Sequence, residues 1–206
     1  MRVGVLVSGS GSNLQALLDA EARGALAPAT VACVISNRPG ARALDRARAA
    51  GKPALLIDHQ AYAGREPFED ALLAALLEHG VELVVLAGFM RLLTPRFIDR
   101  FPDRILNIHP SLLPAFPGVD AQRQAFEHGV KVTGATVHLV NADLDGGAIV
   151  LQEALAVLPG DDAASLRARI LETEHQLLPR AVQLLAAGAL RREGRRVHVG
   201  DVVQKG

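Results

Sequence analysis

The strongest constraint on how this chain folds is a regular alternation through its first 110 residues. Short apolar runs of strand length take turns with stretches whose apolar residues recur every three or four positions. Arg2–Val7, Thr30–Ser36, Pro53–Ile57, Glu82–Leu86 and Arg104–Ile108 read as strands. A helix carrying Leu14, Leu17 and Leu18 lies between the first two, and Ala41–Ala50, Glu66–His79 and a short turn opened by Thr94-Pro95 follow as further helices. Strands separated by helices pair in parallel, through right-handed crossovers. The predicted class is therefore α/β: a Rossmann-like open, mostly parallel twisted sheet with helices on both faces. In such sheets ligands sit at the carboxyl ends of the strands.

The pattern changes after residue 110. Gln122–His128 is a short helix, and Lys131–Val140 and Ala148–Ala156 are strands whose seven-residue link, Asn141–Gly147, allows them to run antiparallel. Asp162–Leu178 is a helix that Pro179 is expected to break or kink. Arg180–Ala187 then forms a second helix, ahead of a hairpin-like tail over Ala189–Val199.

Bulk properties exclude several functions. Twenty-two basic residues balance 22 acidic ones, so no net field draws the chain to nucleic acid or an anionic membrane. No apolar run reaches the ~18 residues needed to cross a bilayer, and the N-terminus enters a strand rather than a signal peptide. The single cysteine, Cys33, allows no internal disulfide and no multi-cysteine zinc site, and reads as a small buried hydrophobe. A cytoplasmic protein without a metal is the expectation.

Two strand ends carry chemistry. The first strand runs into Ser8-Gly-Ser-Gly-Ser-Asn13 and then a helix. Unpaired N–H groups at a helix start carry partial positive charge and can hold a phosphate without lysine, although the same residues also suit an ordinary turn capped by Ser12 or Asn13. A dinucleotide fingerprint is not met, because a third glycine is missing and the second strand ends in Ser36-Asn37-Arg38 rather than an acid. Nor is it a Walker loop, since no Gly-Lys-Ser/Thr follows. At the fifth strand end stands Ile105-Leu-Asn-Ile-His-Pro-Ser-Leu-Leu-Pro-Ala-Phe-Pro-Gly118. Residues two apart on a strand share a side, about 6–7 Å apart, so Asn107 and His109 project together, and Pro110 holds His109 extended. Each also admits a plain role, a turn cap for Asn107 and a satisfied core partner for His109. Asp143 and Asp145 lie between the later strands, where aspartate before glycine makes turns. A carboxylate beside His109 would raise its pKa.

Asn107-Ile-His109-Pro-Ser-Leu-Leu-Pro114 with Leu144-Asp145-Gly-Gly147 resembles the signature of the folate-dependent formyltransferases. Ser8-Gly-Ser-Gly-Ser-Asn-Leu-Gln15, Leu86-Ala-Gly-Phe-Met-Arg91 and Glu172-Thr-Glu-His175 place the resemblance in the branch that formylates a glycinamide ribonucleotide in purine biosynthesis. It runs from the first strand to about residue 190 and implies 10-formyltetrahydrofolate as formyl donor, with no metal. It assigns catalysis to Asn107, His109 and Asp145. Gly11, Ser12 and Asn13 go to the ribonucleotide phosphate, and Leu171, Glu172, Thr173 and Glu174 to the same substrate. The folate pocket takes Arg65, Met90, Arg91, Leu92, Leu93, Asn107, Asn141, Ala142, Asp143, Leu144 and Asp145. With no repeat or clear linker in the chain, the expectation is one domain over 1–190, with a nucleotide-binding sublobe 1–104, a catalytic and folate-binding sublobe 105–190 and a tail 191–206, working on small molecules as a monomer or homodimer. One departure stands out: the family often has Leu-His-x-His after Pro-Gly, and here Val119-Asp120-Ala121-Gln122 follow. Other readings are a relative with another formyl acceptor or a hydrolytic activity, a non-catalytic nucleotide- or folate-binding module, and, less well supported, a dinucleotide-dependent dehydrogenase.

Overall fold

The computed structural model describes residues 1–200, so residues 201–206 of the expected tail lie outside the described residues. Among the described residues nine strands form one sheet: β1 Arg2–Val7, β2 Thr30–Ser36, β3 Ala54–Leu56, β4 Leu83–Leu86, β5 Ile105–His109, β6 Val132–Leu139, β7 Ile149–Ala156, β8 Leu190–Glu193 and β9 Arg196–Val199. Their spatial order is β3-β2-β1-β4-β5-β6-β7-β9-β8. The first five pair in parallel, β6 lies antiparallel to both β5 and β7, and the β8–β9 hairpin joins β7 through a single residue pair.

The helices are α1 Ser12–Ala22, α2 Arg42–Ala49, α3 Arg65–Glu78, α4 Pro95–Ile98, α5 Ala121–His128 and α6 Ala163–Ala186. Strand alternation sorts them onto two faces. Val3, Val5 and Val7 of β1 pack with Leu14 and Leu17 of α1, Leu44 of α2 and Ile170 of α6. Leu6 points the other way, to Phe68, Leu72 and Leu76 of α3 and Phe97 of α4. Cys33 is buried in that second layer, and burial pushes its thiol up to about 11. Such a group is an inert packing element rather than a nucleophile.

Pro179 does not end a helix. Residues 163–186 form one helix, with Leu177, Leu178, Pro179, Ala181 and Val182 all buried, so tertiary packing outweighs the lost backbone bond. Asp162 starts it with a capping box shared with Ser165. The Ala27-Pro28 and Leu113-Pro114 peptide bonds are cis.

The order of the parallel strands reverses direction at β1, whose neighbours are β2 and β4. The crevice of an open α/β sheet forms at such a reversal. The ends of β1, β4 and β5 therefore meet at one edge, with β1 and β5 about 10 Å apart across β4.

Candidate active site

Period-two geometry puts Asn107 and His109 on the side of β5 shared by Ile105, whereas Leu106 and Ile108 enter the opposite core layer. Across the antiparallel pairing, Asn107 stands opposite His138 and His109 opposite Thr136. One more strand across, Gln152 faces Thr136. The result is a polar row on an otherwise apolar sheet face.

The β7 end of the row braces the proline loop. Thr136 Oγ1 donates to the Ser111 carbonyl at 2.7 Å and accepts from the Leu113 N–H at 3.1 Å, and Gln152 Nε2 donates to both Thr136 Oγ1 and the Leu113 carbonyl. Thus held, the loop brings the Phe116 carbonyl within 2.8 Å of His109 Nε2, and the Gly118 N–H donates to Asp145 Oδ2 at 2.8 Å.

Asp145 is the hub. Its Oδ2 lies 3.4 Å from His109 Nδ1, and its Oδ1 lies 3.4 Å from Asn107 Nδ2 and 3.6 Å from His138 Nε2. Asn107 Nδ2 is also 3.1 Å from His138 Nε2, whose other nitrogen faces the Leu139 carbonyl at 3.0 Å. The Asp145, His109 and His138 side chains are 9%, 5% and 3% exposed. The Asp-Gly-Gly sequence has a steric basis here. Asp145 adopts a left-handed φ of 49°, and a Cβ on Gly147 would overlap the Leu139 carbonyl oxygen at 1.6 Å. Only glycine lets the 141–147 link lie flat on β6 and deliver the carboxylate.

Burial would by itself raise the Asp145 carboxyl. Hydrogen bonds from the His138 ring and the Gly118 N–H, with His109 close by, more than reverse that, so it is held below the usual carboxylate range and stays ionised. For His109, Asp145 acts in the direction expected from sequence but does not decide the outcome. Burial pulls the ring below its ordinary value, and although the Phe116 carbonyl and Asp145 pull it up, burial wins. The resting ring is neutral, yet each of its nitrogens faces an oxygen that would accept from imidazolium. A proton arriving on His109 has its partners ready.

The β1 turn has the features of an anion site. Gly11 is the N-cap of α1, at φ 72°, and no side chain caps the helix. A Cβ on Gly11 would stand 2.6 Å from Ala43 Cβ, so the turn rests directly on α2. The first α1 N–H groups are left open and no acid occupies the first turn. Ser12 and Asn13 are thus helix residues rather than caps. Asn13 Nδ2 donates to Glu174 Oε2 at 2.7 Å across to α6, leaving the buried Asn13 Oδ1 without a partner. Burial pushes the Glu174 carboxyl up to about 7. A groove of about 430 Å³ adjoins the turn, lined by Ser12, Gln15, Asp19, Arg46 and His175 among others.

Other residues fall into groups. Leu171 and Glu174, three apart on α6, share a face, but Glu172 is exposed and Thr173 lines a separate hollow with Glu153, Gln176 and Arg180. Four consecutive helical residues cannot face one ligand. Phe89 and Leu93 are core residues, while Met90 and Leu92 are more than half exposed, as is Leu144. Arg91 places its guanidinium over the Phe68 ring at 5.7 Å. Arg65, exposed, begins α3 one turn before Phe68 and makes no contact with the Asp145 group. Asn141 and Asp143 bond each other in an exposed turn, with Ala142 exposed between them. His138 is the residue that sequence reasoning missed. Its signal is register: it lies opposite Asn107, at a β6–β7 irregularity between Val137 and His138.

Exposed apolar side chains beside the buried polar hub fit a flat heterocycle, and the uncapped turn fits a phosphate. A crystal structure named glycinamide ribonucleotide transformylase 1, from Symbiobacterium toebii, superposes with a TM-score of 0.95 at 56% identity, covering 98% of this chain and 94% of that one. The phosphoribosylglycinamide formyltransferase of Escherichia coli K12 is 41% identical over 93% of this chain and 90% of its own length. The human trifunctional purine biosynthetic protein adenosine-3 is 47% identical over 92% of this chain, which spans only 19% of that much longer protein. Among the described residues no helix is long and apolar enough to cross a membrane. The sequence profile of the formyl transferase family matches residues 1–182, and the chain belongs to that family.

Proposed function

We propose that this protein transfers the formyl group of 10-formyltetrahydrofolate to the amine of N1-(5-phosphoribosyl)glycinamide, a step of purine biosynthesis in the cytoplasm, as a monomer or homodimer built on one domain over residues 1–190. The observation that carries the reading is the Asp145-centred hub standing two strands away from an uncapped helix start, across β4. The separation, about 10 Å, is one that a ribosyl glycinamide bridges with its phosphate on Ser12–Asn13 and its amine at the hub. The Leu171–Glu174 face would meet the sugar. Met90–Leu93, Asn141–Leu144 and Arg65 would border the folate.

Chemistry follows from the hub. The amine attacks the formyl carbon, and the carbonyl electron pair moves onto oxygen. Asn107 Nδ2 donates to that oxygen, which is where negative charge grows. The attacking nitrogen becomes acidic and loses a proton toward the ionised Asp145. His109, neutral at rest, gains proton affinity beside the oxyanion, accepts that proton from Asp145 and passes it to the folate nitrogen as the tetrahedral centre collapses and the carbon–nitrogen bond breaks, which returns Asp145 to its ionised form and His109 to its neutral one. His138 packs against Asn107 and Asp145 and fixes their orientation. An assay with both substrates, following formylglycinamide ribonucleotide and free formate, tests the proposal. Formate release without transfer, or binding of both substrates without turnover, would overturn it.

A further inference from the structure

The segment between β4 and α4, residues 87–94, presents Met90 and Leu92 outward from a backbone tied down at both ends. At its start, the Met90 N–H donates to Ser8 Oγ at 2.9 Å, and the Ser8 N–H donates to the Gly88 carbonyl at 3.1 Å. The Ser8 hydroxyl proton goes to Asn37 Oδ1 at 2.6 Å. One side chain thereby ties the ends of β1, β2 and β4 together, in a place where both Ser8 and Asn37 are buried. At the segment's other end, Glu69 of α3 accepts from the Thr94 N–H at 2.9 Å and from the Thr94 hydroxyl. Thr94 caps α4. Glu69 is 1% exposed, and a carboxylate so deeply buried is retained at a cost unless its hydrogen bonds matter. Between the ties, Phe89 and Leu93 anchor in the core while Met90 and Leu92 stay in solvent.

We propose that Ser8 and Glu69 are positioning residues for the formyl donor, clamping the two ends of this segment so that the folate wall is formed before the donor arrives. The inference rests on the folate reading of Met90–Leu93. A pre-formed wall spares the donor the ordering cost that a mobile loop would impose. The phosphate turn has its own supports, Ala43 N–H to the Gly9 carbonyl at 3.2 Å and Arg46 Nε to the Ser10 carbonyl at 2.9 Å, so loss of the Ser8 hydroxyl acts on the donor side.

The test compares Ser8→Ala, Glu69→Ala and Glu69→Gln with the unaltered protein. The alanine variants raise KM for the formyl donor, Ser8→Ala about fivefold, the factor that one neutral hydrogen bond supplies, and Glu69→Ala about tenfold or more, since its carboxylate bonds are of the stronger charged kind, with KM for the ribonucleotide held within about twofold. Glu69→Gln recovers most of the loss, because its amide accepts from the Thr94 N–H and donates to the Thr94 hydroxyl. A parallel rise in both KM values, or no rise in either, overturns the proposal. Hydrogen exchange at the Met90 and Thr94 amides reads the clamp without catalysis: slow in the unaltered protein, fast at Met90 in Ser8→Ala and at Thr94 in Glu69→Ala. Fast exchange in the unaltered protein also overturns it. Absent transfer with intact binding of 5-formyltetrahydrofolate, weakened by the alanine variants, would refute the proposed reaction and leave the clamp standing. Failure to bind that folate would refute both.

Discussion

Replacing Glu174 with glutamine should make the protein more stable at alkaline pH and a poorer enzyme. The Glu174 carboxyl is 4% exposed, and burial moves it from an ordinary 4.5 to about 7. Between those two values the native state binds a proton that the unfolded state has released, so stability falls as pH rises. The extra stability is complete below about 4.5 and is gone above about 7, once the buried group ionises. At about 1.4 kcal/mol per tenfold change in proton affinity, the swing is about 3 kcal/mol. Glutamine keeps an oxygen for the Asn13 amide and carries no charge. Urea unfolding at pH 5, 6, 7 and 8 should therefore show the stability of Glu174→Gln minus that of the unaltered protein growing by about 2.5 kcal/mol, the part of the swing above pH 5, and levelling off by pH 8. A constant difference would refute the burial argument. A stabilising change that also raises the ribonucleotide KM would show that the carboxyl is kept for its ligand, the usual trade at a binding site.

Other perturbations address the hub and the turn. His109→Ala should lower kcat by on the order of a hundredfold or more with little change in Tm, as expected on losing a proton carrier, and near-normal turnover would refute the role given to it. Asp145→Asn removes a group that raises the His109 pKa, so the fall in kcat with falling pH, where His109 loses its neutral form, should move to lower pH; an unchanged profile would show the two to be uncoupled. Gly11→Ala forces a Cβ into a left-handed residue 2.6 Å from Ala43 Cβ, and should cost at least about 1–2 kcal/mol in urea unfolding and weaken ribonucleotide binding. Thr136→Val strips one donor and two acceptor contacts from the proline loop and should cost about 1–3 kcal/mol, with kcat falling as the Phe116 carbonyl and Gly118 N–H drift from their partners.

The parallel half of the sheet was legible because each of its strands is a short apolar run bounded by turn residues, and the period of the intervening segments is unmistakably helical. The pairing of Asn107 with His109 was legible for the same reason: a period of two and a following proline. Asp145 was different. No local pattern ties it to a residue 36 positions earlier, and only the resemblance singled it out. His138 needed the β5–β6 register, which forms across a long loop. The direction of the His109 shift depended on its depth of burial, a property of the whole assembly. Pro179 failed as a stop signal because its neighbours are core residues. The family's Leu-His-x-His segment has a physical counterpart too. Here Val119 and Asp120 are exposed and Ala121 starts α5, so the hub's imidazoles come from β5 and β6 alone.

The placement of charge in this site has a common logic. Asp145 and Glu174 are both largely withdrawn from water, yet their pKa values move in opposite directions. Asp145 has a backbone N–H and two imidazoles around it, so its charge is compensated and stays on at all working pH values. Glu174 has one amide, and its charge is left poised near neutrality. A group meant to drive proton movement must hold its charge before the substrate comes. A group meant to meet a sugar gains from being able to accept or donate, because a hydroxyl can do either. His109 sits between these cases, neutral when the site is empty and flanked by two acceptors for the moment it is protonated. Environments that push neighbouring titratable groups apart in this way separate the working acid from the fixed base.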